Sequence, residues 1–192
     1  MKVAVFEVCR RPEVPKANSE AKILHDCFLQ LGINFDLYTN DGFWGDYPKT
    51  GENIDREIIA AALSDPQIDV VHFAVHGQSG VGLVLKWSGP IGQREVADTL
   101  TGAEIRQMSI SQNKLVVSGA CESSSLAQDF IFAGAKAYIS PKFEIPWAYL
   151  GLMFQTFYAA LQSGSTTEAA LAQAVANYPE LASYEVHSSA KK

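Results

Sequence analysis

Two residues in this chain have the chemistry and the setting to act on a substrate together, His76 and Cys121. Each closes an apolar, β-branched run: Val70-Val71-His72-Phe73-Ala74-Val75 leads into His76-Gly77, and Leu115-Val116-Val117-Ser118 leads into Gly119-Ala120-Cys121. Runs of this kind read as strands buried on both faces. If the two strands are parallel neighbours, about 4.8 Å apart, the imidazole and the thiol emerge at the same sheet edge. An imidazole beside a thiol accepts its proton and creates a sulfur nucleophile at neutral pH. A glycine after the histidine lets the chain turn sharply and lets a carbonyl approach a backbone N–H. The amides of Gly77 and Cys121 are therefore candidate oxyanion donors. The implied reaction is acyl transfer through a thioester, with His76 as general base and then general acid.

The remaining histidines and cysteines have blander explanations. His72 lies inside its strand and reads as a hydrogen-bonded core histidine, and Cys27 falls on the apolar face of a helix. His25 reads as a helix-surface residue, and His187 falls near the C-terminus in a stretch with no clear pattern. Cys9 ends the first strand on the same edge as His76. Structural filling is the simpler role for it, with redox coupling to Cys121 as the alternative.

Elements must position this pair, and their order is legible. Strands are expected at residues 2–8, 33–39, 68–75, 114–118 and 137–140. Helices are expected at about 19–31, 53–63, 101–108, 123–132, 146–163 and 165–178, with Gly32, Gly134 and Gly164 as stops. Thr101 with Glu104, and Ser165 with Glu168, have capping-box spacing. Trp147, Leu150, Phe154, Phe157, Tyr158 and Leu161 form one apolar stripe, read as core packing. Residues 81–87 and a weaker extended piece after the Ser88-Gly89-Pro90 turn read as a hairpin beside the main sheet. Alternating strands and helices predict an α/β fold: a doubly wound, mainly parallel sheet in an order of about 2-1-3-4-5, flanked by helices, with functional loops at the carboxyl ends of the strands.

The chain of 192 residues suits one domain, expected over residues 1–182 with a loose C-terminal tail at 183–192. A net charge of −6 argues against a nucleic-acid partner. No apolar run approaches the length of a membrane span, and no secretory signal pattern follows Met1, so a cytoplasmic location is expected. Three cysteines without a CxxC pair or a histidine cluster predict neither a disulfide scaffold nor a metal site, and no cofactor is called for.

Four further stretches give a family resemblance. Leu100-Thr101-Gly102-Ala103-Glu104-Ile105-Arg106 follows the hairpin, and Leu115-Val116-Val117-Ser118-Gly119-Ala120-Cys121-Glu122-Ser123-Ser124 carries the thiol. Phe130-Ile131-Phe132-Ala133-Gly134-Ala135-Lys136-Ala137-Tyr138-Ile139-Ser140 and the stretch from Phe157 to Leu171 complete the set. Together they resemble the CHAT domain, the caspase-like domain associated with tetratricopeptide repeats and a relative of caspases, metacaspases, separase and gingipains in clan CD of the cysteine peptidases. The resemblance is specific over residues 68–178 and looser before them. It implies a hydrolase, a cysteine endopeptidase with His76 and Cys121 as its Cys-His dyad, Gly77 and Cys121 as oxyanion amides, and a polypeptide substrate. The chain contains no tetratricopeptide repeat, so a regulatory partner of that kind is expected either on another chain or not at all.

The sequence also departs from the family. Gly119 stands two residues before the thiol, where relatives often carry a side chain that shapes the pocket for the substrate residue preceding the cleaved bond (P1). With no side chain there, P1 preference does not transfer. Arg10 and Arg11 at the end of strand one would suit an acidic P1 residue, and Asp41 and Asp46 after strand two a basic one. The alternative to an enzyme is a catalytically idle binding or regulatory module on the same fold. A glutamine-amidotransferase-like hydrolase is a third reading, disfavoured because His187 is the only histidine after Cys121.

Overall fold

The computed structural model describes residues 1–8, 19–40, 44, 48–88 and 96–188. The chain runs β1 (Lys2–Glu7), α1 (Glu20–Leu31), β2 (Asn34–Thr39), α2 (Arg56–Ser64) and β3 (Val70–Ala74). A small sheet follows, made of β4 (Gly77–Gln78), β5 (Gly82–Ser88) and β6 (Val96–Thr101). The second half runs α3 (Gly102–Ile105), β7 (Leu115–Ser118), α4 (Ala127–Ala133), β8 (Ala137–Pro141), α5 (Leu150–Gln162), α6 (Thr167–Asn177) and β9 (Tyr184–Ser188).

The main sheet has the order β2-β1-β3-β7-β8-β9, parallel throughout except for β9, which pairs antiparallel with β8. The five expected strands occupy the order expected of them. The sixth corrects the reading of the C-terminus: residues 184–188, expected to lie in a loose tail, are paired from Tyr184 opposite Pro141 to Ser188 opposite Ala137. The hairpin is present as β5 and β6, and β4 adds a third strand to it immediately after His76.

Pleating sorts the strand residues between two cores. Val3 and Val5 of β1, Val70 of β3, Val117 of β7 and Ile139 of β8 pack with α1, α5 and α6. Ala4, Phe6, Val71, Phe73, Val116 and Tyr138 face the other way and pack with Ile59 and Leu63 of α2 and Phe130 of α4. Both faces are therefore covered, as a parallel sheet requires.

Local signals set the helix bounds with small shifts. Ser19 caps α1 by accepting from Lys22 N–H, and Gly32 ends it at φ 64°. The start of α2 is fixed by Asp55, whose carboxylate accepts from Ile58 N–H, so Asn53 and Ile54 precede the helix. Thr101 and Glu104 form a complete capping box, but α3 stops at Ile105. The last helix is capped by Thr166 and not by Ser165, because it is the Thr166 hydroxyl that accepts from Ala169 N–H. The small sheet is tied to the body by Arg56 of α2, which donates to Asp98, Glu104 and the Thr99 carbonyl.

Among the described residues, no helix is long and apolar enough to cross a membrane.

Candidate active site

His76 and Cys121 are placed by strand register. His72 of β3 lies opposite Val117 of β7 and Phe73 lies opposite Ser118. His76 and Cys121 each come three residues after the last pair of this ladder. The two chains stay close beyond the ladder: Gly119 N–H donates to the Phe73 carbonyl at 2.8 Å, and the Gly77 backbone lies directly on that of Cys121. A Cβ built on Gly77 would sit 2.0 Å from the Cys121 carbonyl oxygen and 3.1 Å from its nitrogen. No side chain fits there, so glycine is required for this approach.

The turn carrying Cys121 is locked by hydroxyls. Ser118 Oγ accepts from Ala120 N–H at 3.2 Å and lies 2.9 Å from Ser123 Oγ, which donates to the Ala120 carbonyl at 2.7 Å. Tyr138 of the neighbouring β8 donates to the Ser123 carbonyl; burial pushes its phenol up to about 12, so it stays a donor. Glu122 adopts the left-handed conformation at φ 53°, with its N–H directed at the Phe143 carbonyl. A short 3-10 turn, Ser123–Leu126, comes before α4. The expected helix N-terminus directly behind Cys121 is thus displaced to Ala127.

Both side chains open into one cleft of about 130 Å³, whose lining also includes Glu7, Glu20, Gly119 and Trp147. Cys121 Sγ lies 4.0 Å from the Ile145 carbonyl. The structure therefore brings together His76, Gly77, Gly119 and Cys121. Cys9, Arg10, Arg11, Asp41 and Asp46 lie outside the described residues.

Three cleft residues carried no functional signal in the sequence. Glu20, in the first turn of α1, extends its carboxylate against Gly119: a Cβ there would meet Oε2 at 2.3 Å and Oε1 at 2.6 Å. Glu7 ends β1 almost fully buried, and its Oε2 accepts from the Thr39 hydroxyl at 3.0 Å and from the Trp44 indole N–H. Trp147, expected within the buried stripe, is 40% exposed and lines the cleft. It precedes α5 in a 3-10 turn, out of phase with Leu150, Phe154, Phe157 and Tyr158, which are buried as expected.

The other candidates fall as follows. His72 is completely buried, with Nε2 2.7 Å from Glu20 Oε1 and Nδ1 2.9 Å from the Tyr158 hydroxyl. His25 is buried and not on the surface: its ring packs on Phe35 and Trp44, with Nδ1 3.0 Å from Asp26. Cys27 is a core thiol, pushed up by burial. His187 is on β9, opposite Tyr138, far along the sheet edge from the strand ends that carry the cleft. Among the described residues no group of three or more acidic, histidine or cysteine side chains is arranged to hold a metal.

The sequence model of the CHAT domain matches residues 4–188. The chain belongs to the CHAT domain family. Its fold is caspase-like, a mostly parallel sheet flanked by helices. A solved complex of the Porphyromonas gingivalis RgpB pro- and mature domains superposes on this CHAT domain with a TM-score of 0.59 at 12% identity. The superposition covers 95% of this chain and 45% of that one, so the chain spans less than half of its structural neighbour. No curated protein matches the sequence.

Proposed function

We propose that this CHAT domain is a cysteine endopeptidase in which Cys121 attacks a peptide carbonyl and His76 moves the protons. What supports the reading is that His76 and Cys121 both line one cleft, with Gly77 pressed onto Cys121.

In the proposed cycle His76 takes the thiol proton as Sγ bonds to the scissile carbonyl carbon. The carbonyl oxygen gains the negative charge, facing the amides of Gly77 and Cys121. Collapse of the tetrahedral species breaks the C–N bond, and His76 returns its proton to the departing amine. A water, deprotonated by His76, then cleaves the thioester, and the imidazolium returns the proton to sulfur. Gly77 serves twice, as a candidate donor and as the residue whose missing side chain lets the two strand ends meet.

The test is site-resolved labelling. Iodoacetamide and a peptide acyloxymethyl ketone are expected to modify Cys121 in preference to Cys27, which is 3% exposed. His76→Ala should slow Cys121 labelling, and Cys121→Ala should abolish cleavage of a peptide library. Labelling unchanged by His76→Ala removes the dyad. Absence of any Cys121-dependent cleavage, with and without a partner chain, selects the catalytically idle module.

A further inference from the structure

The same cleft holds a carboxylate that the proposed cycle does not use. Gly119 stands two residues before Cys121, at most about 7 Å away along the chain. The space its side chain would have filled is occupied by the carboxylate of Glu20. That side chain is only 10% exposed, yet it lines the cleft. Its Oε1 is bonded to His72 Nε2 at 2.7 Å, and no described residue donates to Oε2. Oε2 is open to the cleft and is not a buried oxygen without a partner, so it can accept from a donor or cation that enters there.

His72 does not supply that cation in the arrangement that satisfies every partner. A carboxylate only accepts, so Nε2 carries the hydrogen; in a neutral ring Nδ1 then accepts, and Tyr158 donates to it. Tyr158 is suited to donating, because burial, then the charge of Glu20, holds its phenol well above the usual range. Glu7 also lines the cleft. The cleft lining also includes the apolar residues Ile145, Trp147 and Leu150. An aliphatic stem with a cationic tip matches such a lining, since the stem packs on apolar side chains and the tip reaches the acid.

We propose that Glu20 makes this a pocket for a lysine or arginine side chain, that of the substrate residue whose carbonyl Cys121 attacks, with His72 as the residue that positions Glu20. The preference for a basic residue rests on the peptidase reading above and selects among its substrates. A charge-assisted bond formed out of water is expected to favour basic over apolar side chains by about 10- to 100-fold.

The experiment uses acyloxymethyl ketones that share one peptide and differ only in the residue bearing the ketone: Lys, Arg, Leu or Asp. The rate of Cys121 adduct formation is read by mass spectrometry. Lys and Arg probes should outpace Leu by about 10-fold or more, with Asp slowest. In Glu20→Gln the Lys-to-Leu rate ratio should collapse towards one, and Glu20→Asp should restore part of it. His72→Gln should lower the same ratio without reversing it. If Glu20→Gln does not fold, as judged by its melting profile, competition on the wild type decides: 4-aminobenzamidine should slow the Leu probe, and no slowing counts against the pocket. Equal rates for all four probes, or a preference for Leu or Asp, overturn the basic pocket and leave the peptidase reading standing. A basic preference that survives Glu20→Gln in a folded protein overturns the assignment to Glu20. If no peptide probe reacts at Cys121, the peptidase reading fails and the pocket fails with it.

Discussion

Replacing Gly77 by alanine is the sharpest perturbation available at the candidate site. The added Cβ would lie 2.0 Å from the Cys121 carbonyl oxygen and 3.0 Å from its carbonyl carbon, whereas real Cβ contacts are essentially never under 3.0 Å. Both neighbours are backbone atoms, so no side-chain rotation relieves the clash. The ends of β3 and β7 must part by about 1 Å, and overpacking of that kind costs about 1–3 kcal/mol. A displacement of about 1 Å between reacting groups costs on the order of 100-fold in rate. Gly77→Ala should therefore lower the denaturant midpoint and also slow modification of Cys121 by a peptide acyloxymethyl ketone, by about two orders of magnitude. Gly80→Ala is the matched control. Gly80 has φ +67° with nothing within 4 Å of a built Cβ, so the cost is the left-handed backbone alone, about 1–2 kcal/mol, with Cys121 labelling unchanged. A Gly77→Ala protein that unfolds and labels like the wild type refutes the close approach of the two strand ends.

Three other perturbations test the surroundings. Tyr158→Phe leaves the buried Nδ1 of His72 without its 2.9 Å partner and should cost about 1–3 kcal/mol in urea unfolding. Lys114, 1% exposed, donates to the Asp65 and Ile68 carbonyls that lead into β3; Lys114→Ala should cost about 2–4 kcal/mol through the lost bonds and the cavity. Glu104 is held at about 2, first by Arg56 and then by Thr101 N–H, against an ordinary 4.5. Its folded value is depressed, so its contribution is complete above about pH 4.5 and is lost as pH falls towards 2. With Glu104 35% exposed, screening reduces that contribution to about 1 kcal/mol. The stability gap between wild type and Glu104→Gln should close across that acid window, and a gap unchanged between pH 6 and pH 2.5 contradicts the Arg56–Glu104 account.

Much of the scaffold was legible because its signals are local. The runs of β3 and β7 are buried throughout and apolar except for His72 and Ser118, and the glycines after α1 and α4 sit at positive φ as helix stops require. His76 and Cys121 stood out because each interrupts such a run with a reactive side chain. The misses arise where tertiary contacts decide. Tyr184–Ser188 alternates over too few residues, at the end of the chain, to declare itself a strand, and becomes one by pairing with the edge of β8. Ser165 and Thr166 are both competent caps, and a shift of one residue in α6 selects Thr166. His25 has the helical position of a surface residue until Phe35 of β2 and Trp44 close over it. Glu20 was unreadable for a further reason: an acid in the first turn of a helix needs no explanation beyond the macrodipole. Its place in the cleft depends on how α1 lies against β7.

Two glycines shape this cleft by what they leave out, and they do so in opposite senses. At Gly77 the missing side chain is replaced by backbone, which brings the amide-bearing turn of Cys121 onto the end of β3. At Gly119 it is replaced by a side chain from elsewhere in the chain, the carboxylate of Glu20. The sequence around Cys121 therefore looks stripped of any group able to select a substrate, although the pocket beside it is charged. A carboxylate supplied from α1 and fixed by His72 occupies the place that a residue on the loop itself would have taken. Substitution at Gly119 should act through the same group: Gly119→Ala drives a methyl group into Glu20, whose carboxylate is hemmed in by His72, and so should weaken any selection between basic and apolar probes more than it slows iodoacetamide at Cys121. Equal slowing of every reagent would mean that Gly119 governs only the shape of the nucleophile's loop.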